Sequence, residues 1–431
     1  MPAESTTYPD LFRIPTFPRL ASSVVLARTA NAMMQLALVL FVLHRFRSPG
    51  LAGVTIFLAI APGILVSPVS GALLDRHGRV RFIILDYAVG ALSLFLIVSL
   101  DVAGRLAPVA LLSVVTLGSL TYSLSNSGAR SLLPLIVPKR LWDRANALDS
   151  MAYAVTGAAG PALAGAFTAW LGPQFALGIT AALYVAAALP MVGLAEPMVR
   201  GGSGSVLQDA TDGLLYVVRR NASLRGLAIV ISLVNVGFGI LIVALPVMVF
   251  QRLHGDAAMV GGLWALLGIG SALSVLFFGR LNSEGRERLM IGVATLGGSL
   301  GIAVLAVTGN VLLAAAAVGF VGLSNGPADI ALFSMRQRRT DPAWYGRAFA
   351  VSMSLNFAGT PLGSAISGPL IHVGLTFAIA VAAGFLLVAA VLVPIVIPAK
   401  HLGTMVPESA RQSRRDRPVE ESPSSAEQGA G

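Results

Sequence analysis

Residues 373–398 read VGLTFAIAVAAGFLLVAAVLVPIVIP, a stretch without one charged side chain. A helix needs about 20 apolar residues to cross the hydrocarbon core of a bilayer, and this run supplies them. Eleven more stretches are comparable, near 20–43, 51–74, 82–102, 107–128, 146–170, 175–195, 226–250, 257–280, 288–308, 311–334 and 346–370. Inside lipid every backbone amide must be satisfied within the protein, so runs of this length fold as helices. Barrel strands would be about half as long and would alternate in polarity. Only 12% of the residues are charged, against about 25% in soluble domains. The chain is therefore expected to be an all-α polytopic membrane protein with twelve transmembrane helices.

The net charge of +10 would by itself suit a nucleic-acid partner, but its placement argues for a membrane. Of the 30 Lys and Arg residues, 25 fall in the two tails and in alternate connections. Arg45, Arg47, Arg105 and Arg252 lie on the other side, and Arg28 lies inside a span. Positively charged loops stay in the cytoplasm, which predicts two cytoplasmic termini in a bacterial-type plasma membrane. The partner implied is the lipid bilayer, and no nucleic acid is expected.

Several chemistries are excluded. The chain has no cysteine, which removes disulfides, thiolate metal sites and cysteine nucleophiles. Neither Lys139 nor Lys400 follows a glycine, so no phosphate-binding loop is present. The histidines at 44, 77, 254, 372 and 401 are scattered and form no metal motif. No cofactor, metal or enzymatic reaction is expected. Residues ahead of the first span are polar and the span has full length, which argues against a cleaved signal peptide.

The chain divides into a tail (1–19), a first group of six spans (20–195), a connecting segment (196–225), a second group of six (226–398) and a polar C-terminal tail (399–431). That last tail is rich in Pro, Ser and Glu and is expected to be disordered. The connecting segment starts GGSGS and then places Val206, Ala210, Leu214, Val217 and Val218 near one helical face. That pattern suits an amphipathic helix on the membrane surface, and equally a plain structural linker.

The two groups repeat one pattern. GALLDRHGRVRF follows span 2 and GRLNSEGRERLM follows span 8, matching Gly71, Leu73, Gly78, Arg79 and Arg81 to Gly279, Leu281, Gly285, Arg286 and Arg288. LSNSGAR (124–130) ends span 4 and LSNGPAD (323–329) ends span 10. In spans 5 and 11, Arg144, Ala145, Ala147, Gly160 and Gly165 match Arg347, Ala348, Ala350, Gly363 and Gly368. Three matches in order at six-helix spacing indicate parallel repeats about an axis along the membrane normal.

These residues resemble the major facilitator superfamily. Its signature between helices 2 and 3 is met by Gly71, Leu73, Asp75, Arg76, Gly78 and Arg79, with Val80 departing from the pattern and Arg81 one place late. GAAGPALAG in helix 5 is similar to the family's antiporter motif through Gly157, Gly160, Pro161 and Gly165, with altered spacing. LLPLIVPKRLWDRANAL resembles the bacterial drug- and siderophore-exporter branch. The helix 4 arginine of many proton antiporters has no counterpart here. The resemblance implies two pseudo-symmetric six-helix bundles, a monomer, and a central cavity lined by helices 1, 4, 7 and 10. It also implies a latch at the helix 2–3 motif, with Asp75 against the start of helix 11 near Tyr345 to Arg347 and Arg79 paired with an acid such as Asp86.

Ionisable side chains inside spans are costly and are functional candidates by default. Arg28, Asp86 and Asp329 are such residues, and all three are candidates for coupling to protons. Asp86 has a competing role in neutralising the arginines of the 2–3 loop. Arg28, Asn31 and Gln35 share a helical face. Asn31, Gln35, Tyr122, Asn126, Asn235, Trp264, Asn325 and Asn356 are candidates for the substrate cavity, and the amides have an alternative role in interhelical hydrogen bonds. Arg130 and Asp329 occupy equivalent places in the repeats and form a candidate gate pair, with local neutralisation of Asp329 by Arg336 as the alternative.

The function expected is secondary active transport by alternating access. Its specific form is proton-coupled efflux of an amphipathic small molecule such as a drug, siderophore or related metabolite. Uptake of a small solute by symport or facilitation is the alternative within transport. A membrane receptor or assembly factor is the alternative outside it, weakened by inward loops too short to hold a signalling domain.

Overall fold

The computed structural model describes residues 7–196, 206–280, 283–341 and 344–399; the side chains at 68, 71, 72, 75, 143, 206–210 and 345–350 fall outside that description. A short helix, α1 (Tyr8–Phe12), leads into α2 (Phe17–Phe46), α3 (Pro49–His77), α4 (Arg79–Val102), α5 (Pro108–Ser119), α6 (Tyr122–Ile136), α7 (Trp142–Leu171) and α8 (Pro173–Ala188). The connecting segment holds α9 (Val206–Leu215), which passes into a π-helical turn at Tyr216–Arg220. The second half runs α10 (Ala222–Gln251), α11 (Ala257–Phe278), α12 (Glu287–Val307), α13 (Val311–Arg338), α14 (Tyr345–Phe357), α15 (Gly359–Val373) and α16 (Leu375–Val396).

Among the described residues, 11 helical stretches are long and apolar enough to cross a membrane, one fewer than the twelve expected. The stretch 346–370 is bent at Ala358 into α14 and α15, of 13 and 15 residues. Pro361 has no N–H to offer the carbonyl of Phe357, and Gly359 presses onto the Ser232 carbonyl of α10. The fourth span is bent too, between α5 and α6. There Leu120 and Leu124 donate to Leu117 and Thr121, three residues back, so the turn tightens.

Helix pairing follows the repeat. In the first half α2 packs on α7 and α8, α4 on α8 and α6, and α3 on α5 and α6. In the second half α10 packs on α15 and α16, α12 on α16 and α13, and α11 on α13. The matched glycines mark the same crossings: Gly160 lies against Ala32 of α2, and Gly363 against Val236 and Gly239 of α10. Lipid gives helices no hydrophobic reason to associate, so close backbone contact through small residues carries much of this packing.

Two seams join the halves, α7 with α11 and α3 with α15. Gly165 meets Ala257 and Gly261, and Ala158 meets Gly268; across the molecule Gly368 meets Gly50, and Gly53 meets Ser364 and Ser367. The contacts of Gly165, Gly50, Gly53 and Gly368 lie toward the side away from the chain termini, and the Ala158–Gly268 contact lies at mid-span. Continuing along α7 toward the termini, the same stripe reaches Val155 and Met151, and both are 59% exposed. On α3, Leu65 and Val69, nearer the termini than the seam, are exposed as well. The halves are thus zipped on the far side and diverge on the side that carries the tails.

Arginines fasten the helix ends within each half. On the far side Arg45 pairs with Asp101 at 2.6 Å, and Gln174 donates to the same carboxylate at 3.2 Å. Its counterpart Arg252 donates to the Ala306 carbonyl and to the Thr376 hydroxyl, each at 2.7 Å. Two of the four arginines that depart from the charge bias therefore hold the ends of helices together.

Candidate functional site

The open side exposes a wall built from α2, α6 and α7. Arg28 sits on α2, and its Nη2 pairs with Asp149 Oδ1 of α7 at 2.8 Å. Its Nη1 donates to the Asp149 backbone carbonyl at 2.9 Å, and the guanidinium lies 5.6 Å from the centre of the Tyr153 ring. The arginine side chain is 15% exposed and the aspartate 32%, so the pair is half-sheltered. One helical turn further in, Asn31 accepts from Gln35 at 3.4 Å and also reaches the Tyr122 hydroxyl. The shared face expected for Arg28, Asn31 and Gln35 is present. Asp149 was not anticipated, because it lies near the start of its span, close to the loop charges Asp143 and Arg144.

Asp86 is in a different setting. It is 8% exposed, inside the first half, beside the hydroxyls of Thr121 and Ser125 and the Ser125 backbone N–H. Those groups lie where span 4 bends, so the carboxylate meets helix amides freed by the bend. A small closed cavity borders it, with Tyr122 and Tyr184 in its lining.

The expected pairing of Arg79 with Asp86 is replaced by one with Glu196. Arg79 Nη1 lies 3.1 Å from Glu196 Oε1, and the backbone amides of Arg79 and Val80 donate to Glu196 Oε2 at 2.7 and 3.1 Å. Gly78, at φ +93°, turns the chain so that these first amides of α4 face the acid. Glu196 is 117 residues away, at the end of the sixth span, and no local pattern points to it. Leu73 is half-buried and Arg76 exposed. The side chains of Gly71, Asp75 and Tyr345 to Arg347 lie outside the described residues, as do the GGSGS segment and the C-terminal tail from Lys400.

Arg130 and Asp329 are both exposed and make no ion pair with each other in this conformation. Arg336 does not neutralise Asp329 either; it is fully buried against Met353, the Phe333 ring and the Asn356 amide. Asn356 also donates to the Ser352 carbonyl, and its own carbonyl accepts from Asn235 at 2.9 Å. Asn235 and Asn356 therefore use their amides between helices. Asn126 is exposed, while Asn325 and Trp264 are half-buried on the second half. Of the antiporter-like residues, Gly160 and Gly165 are at helix crossings, the Pro161 carbonyl lies against Gly261, and Gly157 faces open space.

The connecting segment ends in a node on the second half. The Tyr216 ring stacks on Trp344 at 4.9 Å, Arg220 lies over the same indole, and Asn221 donates to the Arg339 carbonyl at 2.7 Å. Arg339 in turn reaches Ser223 and the Pro398 carbonyl, and burial holds its guanidinium below the ordinary value. Further along, α9 packs against both α3 and α14, bridging the halves on the open side. No group of three or more His, Cys, Asp or Glu suited to a metal occurs among the described residues.

Comparison with known proteins fits this geometry. A family model described as Major Facilitator Superfamily matches residues 20–364 and also 227–428. The uncharacterized MFS-type transporter y4rN of Sinorhizobium fredii is 38% identical over 407 residues, covering 91% of this chain and 97% of that protein. The enterobactin exporter EntS of Escherichia coli K12 is 24% identical over 351 residues, 79% of this chain and 82% of that one. Among solved structures, the nucleoside transporter NupG superposes with a TM-score of 0.71 at 14% identity, covering 87% of this chain and 97% of that one.

Proposed function

Because this chain belongs to the major facilitator superfamily and is a membrane transporter, we propose that it is a secondary active transporter working by alternating access. Its task on this reading is export of an amphipathic small molecule in exchange for protons. The observation that carries it is the conformation: two pseudo-symmetric halves, sealed on one side by glycine crossings and parted on the other around a wall of mixed chemistry. Asn31, Gln35 and Asn126 supply polar contacts, and Tyr122, Tyr153 and Trp264 supply aromatic surface, a combination suited to an amphipathic cargo. The basic tails and loops favour the cytoplasm for the open side, where an exporter loads. The likeness to an enterobactin exporter supports that direction.

Closing the cytoplasmic side would bring Arg130 and Asp329 together as a gate pair, and would set Asp75 against the start of α14, where a helix N-terminus favours a carboxylate. Asp75→Asn should then insert normally and transport poorly. Reversing the charge of Arg130 or Asp329 alone should abolish transport, and reversing both should restore part of it. The deciding experiment is a proteoliposome assay with an imposed pH gradient, offering ethidium, enterobactin and uridine in turn. Movement of ethidium or enterobactin against the proton flux supports the exporter. Movement of uridine together with protons, and of neither other compound, replaces it with an uptake symporter.

A further inference from the structure

We propose that Asp149, held by Arg28, is the carboxylate that carries the proton through the transport cycle; this deepens the exchange reading above and rests on it. A coupling carboxylate must meet water from the open side, and its ionised form must have a partner once the cavity closes and dries. Asp149 meets both conditions. Its carboxyl is 32% exposed on the open wall, and its partner Arg28 is within 2.8 Å. The arginine is secured independently, by the Asp149 backbone carbonyl and the Tyr153 ring. It therefore stays in place when a proton from water adds to the carboxylate, and the ion pair is remade when that proton leaves to water on the other side.

The other embedded acids meet one condition each. Asp86 is only 8% exposed, enclosed within the first half. Asp329 is exposed but has no cation at ion-pair distance among the described residues. The groups facing the Arg28–Asp149 pair are Tyr153 on its own helix, Tyr87 on α4 and Tyr122 on α6, with Arg130 further along α6. Of the other helices packed on α2 or α7, α8 and α11 carry no Asp, Glu, Lys, Arg or His, α10 carries only Arg225 near its start, α3 carries Asp75, Arg76 and His77 at its last turn, and α1 and the turn at Lys139–Leu141 carry Asp10, Lys139 and Arg140.

The repeat supplies an internal control. Pairing Gly160 with Ala32 and Gly363 with Val236 aligns α7 with α14 and α15, and α2 with α10. Arg28 then corresponds to Ser232 and Asp149 to Ser352. The second half has serines at both places and α10 still packs on α14, so the helix contact does not require the ion pair.

The test uses the full chain in proteoliposomes with ethidium and enterobactin as probes. Asp149→Asn should abolish pH-driven movement of the transported probe while leaving its downhill exchange intact; Asp149→Glu should keep both. The double variant Arg28→Ser/Asp149→Ser borrows the residues of the second half, which guards against misfolding, and should behave as Asp149→Asn. Infrared difference spectra of the purified protein should show one protonated-carboxyl band that disappears in Asp149→Asn and persists in Asp86→Asn and Asp329→Asn. Full pH-driven movement in Asp149→Asn, or loss of the band in Asp86→Asn instead, overturns the inference while leaving proton exchange standing. If the wild-type chain moves neither probe against a pH gradient, the exchange reading fails, and this inference fails with it.

Discussion

The two halves share one architecture but fasten it with different chemistry. At the tail-side end the first half joins its third and sixth spans by an ion pair, Arg79 with Glu196. The second half joins the corresponding spans by Arg288 donating to the Pro394 carbonyl at 2.7 Å. On the far side the contrast repeats: Arg45 grips the Asp101 carboxylate, whereas Arg252 grips two carbonyls and a hydroxyl. At these two joints an arginine serves both halves and an acid only the first, while the second half sets its own ion pair, Arg338 with Glu287 at 2.7 Å, between its ninth and tenth spans. Helix packing alone thus needs a cation to gather carbonyls at helix C-termini, and the acids of the first half add strength that can be lost when one partner is changed.

That asymmetry makes the largest prediction. The Arg79 and Glu196 side chains are only 11% and 14% exposed, and breaking a buried pair by neutralising one member costs roughly 3–5 kcal/mol. Glu196→Gln should therefore lower the unfolding temperature of the first half sharply. Arg288→Gln in the second half should cost about 1 kcal/mol, the worth of an ordinary hydrogen bond. Thermal unfolding of the two variants in detergent compares them directly, and equal losses would remove the distinction between the halves.

The seams come next. Gly165 and Gly368 are repeat mates, and each presses on the opposite half: Gly165 on Ala257 and Gly261, Gly368 on Gly50. Adding a side chain at either should overpack its seam, at about 1–3 kcal/mol, and shift the molecule away from the far-side-closed state. Gly157 belongs to the same antiporter-like motif yet faces open space, so Gly157→Ala should be silent. Because the chain has no native cysteine, pairs of introduced cysteines report the opening cleanly. Gly165→Val and Gly368→Val should reduce far-side cross-linking equally if the seams are true mates.

How far this was legible in the sequence depended on the range of each interaction. Apolar runs and repeated glycines are local, and they revealed the helices and the two halves, whereas the crossings at Gly160 and Gly165 are seen only in the folded bundle. Arg28 was visible as a charge in an apolar run, but its partner Asp149 was masked by nearby loop charges. Glu196 was hidden by distance along the chain, since only the folded bundle brings it to Arg79. Two of the asparagines read as cavity candidates hold helices together instead, because a side chain's role depends on the rotation of its helix, which composition does not encode. The bend that splits α14 from α15 had a local sign in Gly359 and Pro361, but hydropathy smooths over it.

A smaller effect follows for those asparagines. Asn235→Ala removes one bond from α10 to the Asn356 carbonyl and should cost about 0.6 kcal/mol, the usual worth of a hydrogen bond between membrane helices. It should leave the choice of cargo unchanged. Asn31→Ala, on the open wall of the first half, should alter transport of ethidium or enterobactin with little change in stability. If the two variants behave alike in a transport assay, the wall is not confined to the residues assigned to it.

The smallest effect concerns the helices that lead into each half. In the first, Asp10 caps the start of α1: the Thr7 hydroxyl and backbone N–H donate to the Asp10 carboxylate at 2.7 and 2.9 Å. In the second, the Asn221 amide oxygen accepts from the Leu224 N–H at 3.0 Å at the start of α10. Asn221 does not titrate, whereas Asp10 is held below its ordinary value of 3.8, first by the Thr7 hydroxyl and then by the Thr7 amide. A carboxylate favoured by folding stabilises fully above its unfolded value and loses that contribution as the pH falls through the lower folded value. The cap on α1 should therefore be intact near neutrality and should loosen at about pH 4 and below, while the cap on α10 holds. Hydrogen exchange at Asp10 and Leu11, set against Leu224 and corrected for intrinsic rate, reads this out. Asp10→Asn should remove the pH dependence on the first half alone; a parallel loss of protection at Leu224 would mean that acid loosens the whole bundle and spares neither lead-in helix.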